Sequence, residues 1–126
     1  MPEPGIWNLE KVIEENPLAG EPMKWTYLVE GKHTAVNVVQ FPSANIPHIH
    51  REHDETVYCL KGEGRFLLGD KTFHAGPGDL IFIPAGTVHT PISDGYFAGL
   101  SIYSPHFDAA NPDREFVKVA PAADAQ

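Results

Sequence analysis

The sequence is short of cations, of cysteine and of long apolar runs. Its 126 residues carry nine Lys and Arg against 17 Asp and Glu, a formal net charge of -8 with histidine neutral. The basic residues form no cluster, so a nucleic-acid partner held by phosphate neutralisation is excluded. An anionic membrane surface is disfavoured on the same ground. An anionic small molecule stays open, because a bound metal reverses the local potential. The single cysteine, Cys59, allows no intrachain disulfide and argues against zinc held by thiolates. No apolar run approaches the roughly 20 residues that cross a bilayer. The start has no basic segment followed by an apolar run, so no secretory signal is visible and the expected location is the cytoplasm. Gly62-Glu63-Gly64 lacks the Lys-Ser/Thr and the helix that a phosphate loop requires.

Turn formers are abundant: 12 prolines and 11 glycines in a chain of one-domain length. Asn8 caps a short helix over Leu9 to Glu15, or Ile6 to Leu9 forms an edge strand. Strand-like runs follow at Met23–Glu30, Thr34–Phe41, Ile46–His50, Glu55–Lys61, Arg65–Leu68, Thr72–Ala75, Leu80–Ile83, Val88–Ile92 and Gly95–Tyr103. Gly/Pro/Asp corners separate them. Many short strands with frequent turns predict an all-β barrel or sandwich over 23–104. Residues 1–22 form an N-terminal extension, and 105–126 a C-terminal tail packed on the barrel or on a partner subunit.

Residues 47–64 read P-H-I-H-R-E-H-D-E-T-V-Y-C-L-K-G-E-G. His48 and His50 are two apart, so an extended strand points both imidazoles to one face. A turn at Arg51 to Asp54 returns Glu55 beside them. His89 follows a second strand and the Pro84-Ala85-Gly86 turn. Three histidines and one carboxylate make a nitrogen–oxygen set for one divalent first-row ion, with Fe, Mn, Zn, Ni, Co and Cu all compatible. Four protein ligands leave two positions open on an octahedral ion. His53, in the turn, competes for a ligand place or serves as a proton carrier at the mouth. His33, His74 and His106 have no ligand partner at an informative spacing.

His48-x-His50-x4-Glu55-x6-Gly62 and Gly78-x5-Pro84-x-Gly86-x2-His89 resemble the two conserved motifs of the cupin superfamily. The second motif usually runs on to an Asn where this chain has Ser93. The resemblance implies a small single-domain cupin, a jelly roll or double-stranded β-helix, commonly a homodimer. It covers oxygenases, isomerases, decarboxylases, lyases, cyclases and binding modules alike.

A divalent ion with neutral imidazoles and one carboxylate keeps a net charge of about +1, which favours a chelating, ionisable or anionic small-molecule substrate. Strand facing offers Tyr27, Phe41, Val57, Cys59, Phe82, Phe97 and Ser101 as pocket residues. Asn37, Gln40 and Tyr58 are further polar contacts. Cys59 lies about 13 Å along the strand from Glu55, so it belongs to the deeper interior rather than to the ligand set. No residue declares itself as acid or base; His53 and Tyr103 are the candidates. The apolar pocket places the chemistry on the metal and leans to a dioxygenase. A non-redox isomerase, lyase or cyclase and a noncatalytic sugar or small-ligand module are the alternatives.

Overall fold

The computed structural model describes residues 3–42, 47–92, 95–105 and 113–117, and the backbone of 123–124. The helix α1 spans Leu9–Glu15, which settles that segment as helix rather than edge strand. The Asn8 side chain accepts the Lys11 N–H at 3.0 Å, satisfying one of the free donors of the first turn. Pro17 stops the helix. Its apolar side, Leu9, Val12 and Ile13, packs on Val38, Ala98 and Leu100.

The strands are β1 (Lys24–Glu30), β2 (Ala35–Phe41), β3 (His48–Ile49), β4 (Asp54–Lys61), β5 (Gly64–Leu68), β6 (Lys71–Ala75), β7 (Leu80–Ile83), β8 (His89–Pro91), β9 (Phe97–Ser104), β10 (Glu115–Phe116) and β11 (Ala123–Asp124). They form a five-stranded sheet, β1-β2-β9-β4-β7, and a six-stranded sheet, β10-β3-β8-β5-β6-β11. The architecture is two facing sheets rather than one continuously closed barrel. Among the described residues all pairings are antiparallel except β11 with β6.

Strand parity decides what lies between the sheets. Val39 and Phe41 of β2, Val57 and Cys59 of β4, Phe97 of β9 and Phe66 of β5 form one buried cluster. Phe97 stacks on Phe41 at 5.0 Å and meets Phe66 edge-on at 5.1 Å. Each such ring contributes about 1.5–3 kcal/mol by leaving water. The opposite face of the five-stranded sheet is covered by α1. The core occupies one end of the interior, and the polar ligand cluster the other.

Two tight places fix the ends. Gly62 adopts φ +81°, and a Cβ there would run into the Tyr96 carbonyl. Gly99 brings β9 against β4: a Cβ would lie 2.8 Å from Val57 Cγ1.

Candidate metal centre

Each ligand candidate is delivered by a different local device. His48 lies in β3, opposite His89 of β8 in register. The expected strand through His50 ends at Ile49. There the Gly86 N–H donates to the His50 carbonyl at 2.6 Å, docking the second motif's turn on the first. The Ala85 N–H donates to Asp54 Oδ1 at 2.8 Å in the same joint. Glu55 starts the inward face of β4, in register with Tyr103 of β9.

The ring nitrogens of His48, His50 and His89 lie within 4.8 Å of one another, and all three residues are buried. Glu55 Oε1 sits 3.2 Å from His50 Nε2 and 3.4 Å from His89 Nε2. The far side of two rings is already committed. His50 Nδ1 meets the Asp113 carbonyl at 2.6 Å, and His89 Nδ1 meets the Thr87 carbonyl at 2.9 Å. A carbonyl only accepts, so both Nδ1 atoms carry the proton and both Nε2 atoms present a lone pair inward. His89 Nε2 is buried without a hydrogen-bond partner among the described residues. Two lone pairs facing a carboxylate call for a positive charge between them, a proton on the ring or a metal cation, and the converging donor set fits a divalent metal ion.

Burial pushes the Glu55 carboxyl up, but hydrogen bonds and positive charge from His50 and His89 in their protonated form outweigh that and hold it well below the usual carboxylate range, a support that a bound cation would supply when both rings are neutral. Its second oxygen, Oε2, accepts the Ser101 hydroxyl at 3.0 Å. Burial, and then the Glu55 charge, raises the Tyr103 hydroxyl well above its ordinary value, so the phenol keeps its proton.

The cluster opens into a partly open cavity of about 40 Å³. Phe41, Val57, Phe97 and Tyr103 line it, alongside the four ligand candidates. Other expected pocket residues fall elsewhere. Phe82 pairs with Thr56 in β4's outward register and is exposed; its neighbour Ile83 is the lining residue. Tyr27 shares the inward face of Trp25, but β1 is the sheet's edge strand and the ring is half exposed beyond the cavity. Cys59 lies in the core beneath the cavity, its thiol pushed up to about 11 by burial and then by the Asp79 charge. Ser101 reaches the site only through Glu55. Tyr58 is exposed, and Gln40 turns to the helix side, donating to the Asn16 carbonyl at 2.8 Å and accepting the Tyr96 hydroxyl at 2.6 Å.

His53 is not at the mouth. It is buried behind His50, rings stacked at 4.5 Å, with Nδ1 3.1 Å from Asp113 Oδ2. Burial, then the neighbouring His50, lowers its proton affinity. Ser93 and His106 lie outside the described residues. Sequence reasoning missed Asp113 and Arg114, which reach the site from the C-terminal tail, as well as Met23, Trp25, Phe66 and Pro91 of the lining. Only the acidic-basic run Asp113-Arg114-Glu115 beside Phe116 marked that tail.

A family model described as "Cupin domain" matches residues 37–103, a span that holds all four ligand candidates. An uncharacterised protein of Aquifex aeolicus (strain VF5) is 30% identical over 110 residues, 86% of this chain and 91% of that protein. Quercetin 2,3-dioxygenase of Bacillus subtilis (strain 168) is 35% identical over 52 residues, 41% of this chain but only 15% of that enzyme. Among solved structures, a conserved protein of Klebsiella pneumoniae subsp. pneumoniae MGH 78578 with a double-stranded β-helix domain superposes with a TM-score of 0.75. It is 20% identical, covering 93% of this chain and 100% of that one.

Proposed function

The chain belongs to the cupin family, and from that premise we propose that it is a metal-dependent enzyme, a dioxygenase acting on a small chelating, oxygen-containing organic substrate. The observation that carries this reading is the set of buried imidazole lone pairs turned on the Glu55 carboxylate at the end of an apolar cavity. The local likeness to quercetin 2,3-dioxygenase supports the reaction class. His48, His50, His89 and Glu55 would hold one divalent ion per chain. Iron bound there would supply Lewis acidity to a chelating substrate and the redox capacity that dioxygen chemistry requires.

This chain's own residues do the rest. The Asp113 and Thr87 carbonyls fix the imidazole tautomers. Phe41, Val57 and Phe97 give the cavity its apolar wall. Tyr103 keeps its proton and can donate a hydrogen bond to a substrate oxygen. His53, behind His50, is a positioning residue rather than an acid or base.

Metal content measured after aerobic and anaerobic purification tests the reading, on the wild type and on a His48→Ala/His50→Ala variant. Near-stoichiometric iron that the variant loses, with oxygen uptake on catechols, enediols or hydroxy ketones, is the expected result. Turnover without oxygen uptake would replace the dioxygenase by an isomerase, lyase or cyclase. Ligand binding unchanged in the double variant would leave a noncatalytic binding module.

A further inference from the structure

The tail segment 113–117 is fastened to the ligand-bearing strand. β10 pairs with β3, Glu115 opposite Ile49 and Phe116 opposite His48. The Val117 N–H donates to the Pro47 carbonyl at 3.0 Å, and Arg51 Nε donates to Glu115 Oε2 at 2.6 Å. This fastening carries Arg114 into the lining of the cavity. Its guanidinium lies 4.8 Å above the Trp25 ring and 5.7 Å from the Phe116 ring. Among the described residues it makes no ion pair or hydrogen bond, although the chain carries 17 carboxylates. Arg51, nearby on the surface, does recruit Glu115.

Arg114 is partly exposed, so water reaches its donors; the aromatic faces beside it accept from none of the five, and they stay available to a ligand. The carboxylate within the cavity, Glu55, is already occupied by His50, His89 and Ser101. The complementary occupant is an anion with planar, paired acceptors, for which the guanidinium fork is matched. The cavity's 40 Å³ holds little beyond an ion and one or two waters. A larger occupant displaces a wall or projects out of the cavity, and the Arg114 side chain is held by ring contacts alone.

We propose that Arg114 is a specificity-determining residue that binds a carboxylate on the substrate, away from the atoms that chelate the metal. This rests on the cavity being the substrate site. It defines the substrate class as a chelating carboxylic acid.

Benzoate and benzamide, alike in shape and different in charge, are the probes. They are titrated into protein with and without zinc, in a Trp7→Phe background that leaves Trp25 as the reporting indole. Arg114→Gln and Arg114→Lys are compared, with thermal melts to confirm folding. The expected result is a preference for benzoate of about ten- to hundredfold, with quenching or enhancement of Trp25 as Arg114 leaves its face. Arg114→Gln brings the preference to about one, and Arg114→Lys retains part of it, with zinc content unchanged. A preference that survives Arg114→Gln, equal loss of both probes, or no preference in the wild type overturns the proposal. A preference that vanishes with the zinc but persists in Arg114→Gln assigns the anion to the metal and also overturns it. Protein that takes up no zinc refutes the metal reading separately, and the metal-free titrations still decide the role of Arg114.

Discussion

Ser101 shows how one small side chain serves the centre without entering it. Its hydroxyl donates to Glu55 Oε2 at 3.0 Å, leaving Oε1 turned to the imidazoles. Both residues are buried, so no water replaces a lost donor easily. Ser101→Ala should therefore destabilise the fold by about 1–3 kcal/mol and weaken metal binding by roughly ten- to hundredfold. Urea melts and competition with a chromophoric chelator measure the two effects. Unchanged metal affinity would mean that Glu55 is oriented by its backbone alone. The ligand candidates were legible because parity and Gly/Pro corners aim them: His48 and His50 two apart, His89 just past Gly86. Phe82 was not, because Leu-Ile-Phe-Ile is apolar at every position. A four-residue strand without alternation does not reveal which face is inward, and only its register with Thr56 does.

At the scale of elements, the centre is a joint between three pieces of chain: the turn at 50–54, the turn at 84–87 and the strap at 113–117. Asp113 is the pin of that joint. Its carboxylate accepts the Arg51 N–H at 3.1 Å and the Glu52 N–H at 2.6 Å, while its carbonyl holds His50 Nδ1. Burial raises its carboxyl, but those backbone N–H groups prevail and hold it below its ordinary value. Asp113→Ala removes the carboxylate and frees the strap that keeps the carbonyl in place. Metal affinity should fall by about ten- to hundredfold, with faster hydrogen exchange at Arg51 and Glu52. Retained affinity with faster exchange would show that the carbonyl stays without the carboxylate. The seven longer strands, Lys24–Glu30 through Phe97–Ser104 apart from the short ligand strands β3 and β8, were legible to within a few residues from apolar runs and corners. The strap was not: its contacts span more than 60 residues, and a run of mixed charges carries no local signal for what it will touch.

The whole molecule separates what folds it from what it holds. The cluster of Phe41, Phe66, Phe97, Val57, Ile81 and Ile83 is continuous between the sheets and includes none of the metal-ligand candidates. Burial there does not depend on an ion. The ligand end is different. It gathers three imidazoles and a carboxylate out of water, and His89 Nε2 has no hydrogen-bond partner among the described residues. Without a cation this end opposes folding; with one, the same groups favour it. Metal binding should therefore stabilise a protein that is already folded. At a free metal concentration of about 100 times Kd, the gain is about 2.7 kcal/mol, or on the order of ten degrees in melting temperature for a domain of this size. Calorimetric melts of chelator-treated and zinc- or iron-loaded protein measure it. The metal-free chain should still unfold in one sharp transition, because its core is intact. His48→Ala/His50→Ala should melt at the same temperature with and without metal. A metal-free chain with no cooperative transition would mean that the ion is part of the core. An unchanged melting temperature on loading would mean that no ion binds between the imidazoles and Glu55, and that the inward lone pairs are met in another way.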